Sequence, residues 1–115
     1  MGRPGLLAKR VNRGEIWLYT FKPPDKRRPV LVLTRQEVIG LLSTVIVAPI
    51  TSTIRGAPSE VIVGVGEGLK ADSAIKLDNV QTVERDRLGL YIGSLSGEKM
   101  AAVCRALAIA TGCGL

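Results

Sequence analysis

The chain has 115 residues, of which 46% are hydrophobic and 23% charged, so it is long enough for one soluble domain with a modest core. Its apolar runs are short and interrupted by proline or threonine, and the apolar stretch near the N-terminus is limited to Leu6-Leu7-Ala8, which excludes a spanning helix and a signal-peptide core. The net charge is +6, and residues 1–28 hold eight of the 16 basic residues against two of the ten acidic ones. This imbalance favours a polyanionic partner, although a basic tail with one basic loop would also produce it. Because the sequence shows neither a spanning helix nor a signal-peptide core, we predict a cytoplasmic protein with no membrane partner.

Histidine is absent, and the two cysteines, Cys104 and Cys113, have no metal-ligating residue type close by in the sequence. The absence of histidine excludes the Ser-His-Asp and Cys-His types of nucleophilic site. The cysteine spacing disfavours a zinc site, and we expect neither a metal nor another cofactor. Cys104 is predicted to lie in the core on a helix face. Cys113 is predicted to be a free thiol near the terminus, with pairing between chains left open.

The chain divides into a basic N-terminal arm and one domain. Residues 1–12 mix glycine, proline and basic residues without periodicity, and we predict that they form a flexible arm before a single domain over residues 13–115. The domain begins with a strand over residues 14–21, which is rich in aromatic and β-branched side chains. Consecutive prolines then place residues 22–27 in a loop.

Short strands make up most of the remaining domain. Two continuous apolar runs are typical of strands that are buried on both faces. Residues 35–43 between them form a loop or a single helical turn. The other strands are separated by polar or glycine-rich turns. The predicted strands span residues 29–34, 44–50, 59–65, 73–77, 80–83 and 90–92.

A helix closes the domain. Ser96 is predicted as its N-cap, Glu98 lies in its first turn, where an acidic residue suits the helix dipole, and Gly112 is its predicted end. Its apolar face is predicted to hold Met100, Val103, Cys104, Leu107 and Thr111. The predicted fold is therefore mainly β with a C-terminal α-helix, in which the helix packs on a small, strongly curved or barrel-like sheet.

Five segments, in this order, resemble those of the MazF/PemK-type toxins of type II toxin–antitoxin systems. Each motif alone is weakly specific, but the series covers residues 13–112. The segments are Arg13–Trp17, Arg28–Leu33, Val47–Ser52, Asp78–Val83 and Arg85–Leu88, the last followed by Ile92–Ser96.

The resemblance implies an SH3-like small β-barrel of the CcdB/PemK-like kind and a symmetric homodimer. It also implies a sequence-specific, metal-independent endoribonuclease that cleaves single-stranded RNA, mainly messenger RNA, and so inhibits translation and growth. A cognate MazE-like antitoxin would neutralise the toxin, with an extended tail in the RNA groove.

The resemblance places the catalytic pair at Arg28 and Thr51, with Ser52 as a second hydroxyl donor. RNA carries its own nucleophile, the 2′-hydroxyl, so cleavage needs stabilisation of negative charge more than it needs a metal or a histidine. A planar guanidinium binds two phosphate oxygens at once. A threonine hydroxyl donates to another oxygen or orients the 2′-hydroxyl. Arg27 adjoins Arg28, so the choice between them depends on alignment to the following proline.

Two further sets of residues are candidates for RNA contact. Amide and hydroxyl side chains match base edges, although a strand-end asparagine is more often a turn former; this set is Asn79, Gln81 and Thr82. Basic side chains around the first loop are candidates for flanking phosphates, although a solvated loop explains them equally well; this set is Lys22, Lys26 and Arg27.

The aromatic residues Trp17, Tyr19 and Phe21 alternate along the first predicted strand and share one face. They are candidates for base stacking, with at least one expected in the core or a dimer interface. The loop over residues 22–27 is shorter than in many relatives and offers Asp25 alone as an acidic residue. A short loop would leave the site more open.

Two other functions remain open from the sequence. One is a toxin on the same fold that binds a topoisomerase, although relatives of that kind lack the Arg-Pro and Pro-Ile-Thr pairing present here. The other is a non-catalytic SH3-like module that binds RNA and leaves it intact.

Overall fold

The computed structural model describes residues 10–23 and 26–114 of the chain. Within these residues it contains seven strands and two α-helices. The strands are β1 Glu15–Thr20, β2 Arg27–Val32, β3 Thr44–Thr51, β4 Glu60–Val63, β5 Ser73–Lys76, β6 Gln81–Glu84 and β7 Leu88–Ser94; the helices are α1 Gln36–Ile39 and α2 Gly97–Thr111. The predicted mainly β fold with a C-terminal helix is confirmed. Most of the predicted arm, residues 1–9, and Asp25 of the first loop lie outside the described residues.

All strand pairings among the described residues are antiparallel, and the sheet runs in the order β4-β5-β3-β2-β1-β7, with β6 also pairing with β3. The two end strands, β4 and β7, are not paired with each other in this part of the chain, so the sheet is open and the expected closure into a small barrel is not found. On the β4 side, Lys99 Nζ of α2 donates to the carbonyl of Ile62 at 2.6 Å. Such a side-chain contact occupies part of an edge that would otherwise pair with another strand.

Strand β2 is buried on both faces, as its continuous apolar run predicts, whereas β3 is buried on both faces only in part, because Ile46 is 45% exposed. Side chains alternate between the faces of a strand. Leu31 belongs to a core on the side covered by α2, whereas Val30 and Val32 belong to a second core on the opposite face. We call these the helix-side core and the second core. Val30, Leu31 and Val32 are completely buried. The core therefore holds β2 shortly after Arg28, the predicted catalytic arginine near the start of this strand.

Helix α2 begins and ends as predicted. Of the five residues predicted for its apolar face, Met100, Val103 and Leu107 pack in the helix-side core, whereas Cys104 and Thr111 are exposed. The Ser96 side chain accepts a hydrogen bond from the backbone N–H of Lys99 at 3.1 Å, and Gly112 ends the helix in the left-handed conformation at φ +74°. Val103 and Ala106 are the buried positions. The prediction of Cys104 in the core is wrong: this cysteine is exposed. None of the helices in the described part of the chain is long and apolar enough to cross a membrane.

Candidate functional site

The ends of β2 and β3 bring Arg28 and Thr51 together. The two strands pair as far as Val30 and Pro49, so Arg28 and Thr51 lie two residues beyond this last pair, at the neighbouring ends of β2 and β3. Both residues are half-buried, and both line the same surface clefts. Because the rest of each strand is held in the core, the pair lies on a fixed frame. The two predicted catalytic residues are therefore neighbours in the structure, while their role in catalysis stays a prediction.

A cleft of about 360 Å³ opens beside this pair. We call it the polar cleft. It is lined by Phe21, Arg28, Pro49, Thr51, Thr53, Arg55, Lys76, Asn79 and Gln81. This lining contains three basic side chains and two amides but no carboxylate. Such a set suits an anionic ligand that also carries hydrogen-bonding edges, which is the chemistry of a nucleotide.

A second cleft of about 640 Å³ lies on the other side of Arg28 and Thr51. We call it the aliphatic cleft. It is lined by Leu18, Lys26, Arg27, Arg28, Pro29, Ile50, Thr51, Ser52, Gly68, Leu69, Lys70, Ala71, Ser73 and Ile92. It therefore holds Lys26, Arg27 and Ser52, three of the residues that the sequence singles out.

The buried carboxylate of Glu60 organises one wall of the polar cleft. One oxygen accepts the backbone N–H groups of Arg55 and Gly56, at 3.2 and 2.9 Å, and the other forms an ion pair with Lys76. The Glu60 side chain is only 1% exposed. The hydrogen bond from Lys76, together with those from the two backbone groups, lowers the pKa of Glu60 below its usual 4.5. Glu60 thus fixes two cleft residues, Arg55 through its backbone and Lys76 through its ammonium.

The three basic side chains of the polar cleft differ in whether an acidic side chain already neutralises them. Lys76 is neutralised by Glu60. Among residues 10–23 and 26–114, Arg28 and Arg55 form no ion pair. Two guanidinium groups that have no acidic partner within this part of the chain therefore line the cleft, where an anion is the natural counter-charge. No cluster of three or more acidic, cysteine or histidine side chains that could hold a metal occurs within the described residues.

Replacing Glu60 by glutamine is expected to lower the unfolding temperature at pH 7. A carboxylate with a lowered folded-state pKa stabilises the protein fully above its unfolded value of 4.5, and this stabilisation is lost as the pH falls through the lower folded value. The gap in unfolding temperature between wild type and Glu60→Gln should therefore shrink from pH 7 to pH 3. Thermal unfolding followed by circular dichroism tests this, with the exposed Glu37→Gln as control. A gap that is constant with pH would contradict the role given to the ionised carboxylate.

The candidate base readers separate into two groups. Asn79 and Gln81 line the polar cleft. Thr82 does not: it pairs with Ile46 across the sheet and lines a different cleft, near Leu42 and Thr44. The reason is the alternation of side chains along β6, which turns Thr82 away from Gln81. The structure therefore does not bring Thr82 to the Arg28–Thr51 pair.

The candidate Lys22 and the three candidate aromatic residues differ in whether they line a cleft. Lys22 is exposed and lines neither cleft. Trp17 is 8% exposed and makes an edge contact with Tyr91 at 5.8 Å between ring centroids, which confirms that one of the three aromatic residues lies in the core. Phe21 packs edge-on against Tyr19 at 4.8 Å and lines the polar cleft. Phe21 is therefore the aromatic side chain placed for base stacking.

Three residues of the polar cleft were not among the candidates: Thr53, Arg55 and Lys76. Two of them, Thr53 and Arg55, continue a series that the sequence contains. In this series every second residue lines the cleft, starting with Pro49 and Thr51. Extending this period of two past the strand end would have found Thr53 and Arg55. Lys76 carries no such signal, because its place depends on the ion pair with Glu60.

Known proteins resemble this chain over most of its length. Residues 12–111 match the family model described as PemK-like, MazF-like toxin of type II toxin-antitoxin system. The probable endoribonuclease MazF5 of Mycobacterium tuberculosis strain H37Rv is 40% identical over 102 residues, which covers 88% of this chain and 93% of the relative. The endoribonuclease MazF3 of strain CDC 1551 is 45% identical over 83 residues, covering 72% and 81%.

Solved structures agree with the fold. The Mycobacterium tuberculosis toxin MazF-mt6 has a TM-score of 0.79 and 40% identity, covering 85% of this chain and 96% of that one. An endoribonuclease from a mycobacterial species, solved in complex with its cognate antitoxin, has a TM-score of 0.81 over 92% of this chain and 99% of that one. Its identity is 24%, so it supports the fold alone.

Proposed function

Because this chain belongs to the PemK-like, MazF-like toxins of type II toxin–antitoxin systems, we propose that it cleaves single-stranded RNA at the Arg28–Thr51 pair. The chain is an endoribonuclease toxin, in line with curated relatives of that name. The observation that carries the assignment of the site is the position of Arg28 and Thr51. They lie at the neighbouring ends of two paired strands, and both line the two clefts.

The proposed reaction is an attack by the 2′-hydroxyl of the RNA on the adjacent phosphorus. The O2′–P bond forms as the P–O5′ bond breaks, O2′ loses a proton and O5′ gains one. Arg28 binds the non-bridging phosphate oxygens and stabilises the charge that develops on them. Arginine stays protonated in proteins, so Arg28 acts as a fixed cation and not as a base.

Thr51 supplies a hydroxyl beside the same phosphate. Its Oγ1 accepts the backbone N–H of Thr53 at 3.2 Å. A hydroxyl also has one proton to donate, so the Thr51 O–H is available for a phosphate oxygen while the N–H of Thr53 orients it. Ser52 lines the aliphatic cleft, where its hydroxyl is a second donor.

Partners follow from the family and from the charge of the site. A cognate MazE-like antitoxin is proposed as the protein partner, since the family consists of toxins that act in toxin–antitoxin pairs. A homodimer is proposed because Leu90 and Tyr91 on the end strand β7 are 66% and 53% exposed, and large apolar side chains on a sheet edge favour association. Light scattering of the purified chain tests the dimer. The cytoplasm, where messenger RNA is available, is the proposed location.

The test of the reaction is cleavage of a long single-stranded RNA in excess EDTA. We expect discrete cuts at a shared short motif, because the reaction uses the substrate's own hydroxyl and needs no metal. Each cut should leave a 2′,3′-cyclic phosphate and a 5′-hydroxyl end, so the new 5′ ends should ligate to an adapter only after treatment with a polynucleotide kinase and ATP. Two RNAs of unrelated sequence are used, so that a cleavage motif absent from one of them can occur in the other.

Two results would contradict the proposal. Intact RNA in both substrates would favour a non-catalytic RNA-binding module, and new ends carrying 5′-phosphates would indicate attack by water. The topoisomerase-binding alternative is not favoured, since the curated relatives are endoribonucleases.

A further inference from the structure

The two clefts lie on opposite faces of the same strand ends. Along β3 and the residues after it, Pro49 and Thr53 line the polar cleft, whereas Ile50 and Ser52 line the aliphatic cleft. This is the alternation of side chains in an extended chain. Thr51, like Arg28 on the neighbouring strand, borders both clefts. A ligand bound at the pair therefore has one cleft on each side of it.

The aliphatic cleft combines an apolar floor with a basic rim. Leu69 is 9% exposed and, with the half-buried Leu18 and Ile92, offers aliphatic surface. Lys26 and Lys70 are exposed on the rim, beside the equally exposed Arg27. Among the residues that the structure describes, the lining contains no carboxylate and no side-chain amide. The cleft thus offers cations for phosphates and apolar surface for ribose and base faces, but no amide to read base edges.

Close backbone packing holds this cleft in shape. Gly68 adopts φ +95°, and a Cβ there would lie 2.6 Å from the carbonyl oxygen of Ile92 on β7. On β7 itself, a Cβ at Gly93 would overlap the carbonyl oxygen of Glu67. Two glycines therefore let the segment before Leu69 and Lys70 pack directly on β7. The volume of about 640 Å³ lies within the range of about 300–1,000 Å³ that is usual for small-molecule sites, so a nucleotide fits.

The polar cleft has the complementary chemistry. Its amides, Asn79 and Gln81, can donate to and accept from base edges. Phe21 offers a ring for stacking, and Arg55 offers a second guanidinium. Direct reading of bases is therefore concentrated on this side of the Arg28–Thr51 pair.

We propose that the RNA crosses the strand ends at Arg28 and Thr51, with the bases that define the cleavage motif in the polar cleft. The nucleotides on the other side of the cut bond from these bases lie in the aliphatic cleft, which binds them without base preference through Lys26 and Lys70. This proposal rests on the proposed RNA cleavage. Two features favour RNA as the occupant: the cationic rim and the continuity of the cleft with the Arg28–Thr51 pair. An acidic protein segment is the alternative.

The test compares one variant from each cleft, Lys70→Gln and Gln81→Ala, with Arg105→Gln as a matched charge-removal control on the exposed surface of α2. The substrates are oligonucleotides that contain the mapped motif and extend on both sides of the cut bond, or on one side only. For Lys70→Gln we expect a higher KM for substrates extended into the aliphatic cleft and no change for those truncated there. The slope of log KM against log salt should become shallower by about 0.7, the value for one lost phosphate contact on a single strand.

Gln81→Ala should instead relax the base preference, on the opposite side of the cut, in sequenced cleavage products. The proposal is overturned if Lys70→Gln behaves like Arg105→Gln on every substrate. It is also overturned if both variants act on the same side of the cut, or if Lys70→Gln weakens binding of an acidic peptide and leaves the KM for RNA unchanged. Failure of the wild type to cleave any substrate would instead refute the proposed RNA cleavage, so the two failures are distinguishable.

Discussion

Replacing Arg28 by alanine is expected to reduce kcat/KM for RNA cleavage by about 10²–10³-fold or more, the usual effect of removing one group that stabilises transition-state charge. Arg28 is half-buried near the start of a strand in which Val30, Leu31 and Val32 are completely buried, so its backbone is held in place before the substrate binds. It forms no ion pair among the described residues, so the charge is free to act on a phosphate. Cleavage rates on the mapped motif under saturating and limiting substrate measure the loss.

Arg27 provides the matched control for Arg28. It is adjacent in sequence but exposed, and it lines only the aliphatic cleft. Arg27→Ala should therefore raise KM modestly and leave most of kcat. Arg28→Lys keeps the charge but loses the planar pair of donors, and it should recover only part of the rate. An Arg27→Ala enzyme that is as inactive as Arg28→Ala, with both variants folded by thermal unfolding, would reassign the phosphate contact.

The strands of the core were predictable because their signals are local. The continuous apolar runs around Leu31 and Val47 correctly indicate strands, although Ile46 leaves one face of the first half of β3 exposed. Strand β7 was predicted over residues 90–92 but spans Leu88–Ser94. Glycine disfavours strands locally, yet Gly93 is required there because the Glu67 carbonyl lies against it. That requirement is a tertiary contact and leaves no local trace.

The buried face of helix α2 and the closure of the sheet also depend on tertiary contacts that local sequence patterns do not reveal. Periodicity correctly places Val103 on the buried face of α2, but it also places Cys104 there and misses Ala106. Cys104 is exposed, with Arg13 Nη2 3.4 Å from its Sγ, whereas Ala106 is buried. A small alanine is a weak hydrophobic signal in sequence, although it suits close packing of a helix. Closure into a barrel likewise depends on pairing between the distant end strands β4 and β7, which local patterns do not specify.

For the candidate site, residue types were more predictable than their surroundings. The presence of Arg28 and Thr51 in the same two clefts agrees with the motifs that predict a catalytic pair. Lys76 was missed because its place depends on the ion pair with the buried carboxylate of Glu60. Arg55 continues the alternation from Thr51, but its backbone is held by the same carboxylate. Two of the three cations of the polar cleft thus depend on a residue that does not line it, and this dependence becomes visible only with the fold.

Replacing Thr51 by alanine is expected to lower kcat by about 10²-fold while changing KM much less. The Thr51 hydroxyl is oriented by the backbone N–H of Thr53, and a donor that acts on developing charge contributes mainly in the transition state. Thr51→Ser retains the hydroxyl and should recover most of the rate. Thr51→Val keeps the shape of the side chain without the hydroxyl and should match alanine. Single-turnover cleavage measures the chemical step without product release.

Thr53 is the matched control for Thr51, because it lines the same cleft two residues further on and is exposed. Thr53→Ala removes a hydroxyl from the cleft but keeps the backbone N–H that Thr51 accepts, so its kcat should stay close to that of the wild type. Equal losses in Thr51→Ala and Thr53→Ala would mean that the cleft needs hydroxyl groups in general. A rate for Thr51→Val close to that of Thr51→Ser would show that only the shape of the side chain matters. Either result would leave Arg28 as the remaining candidate for stabilising the charge on the phosphate.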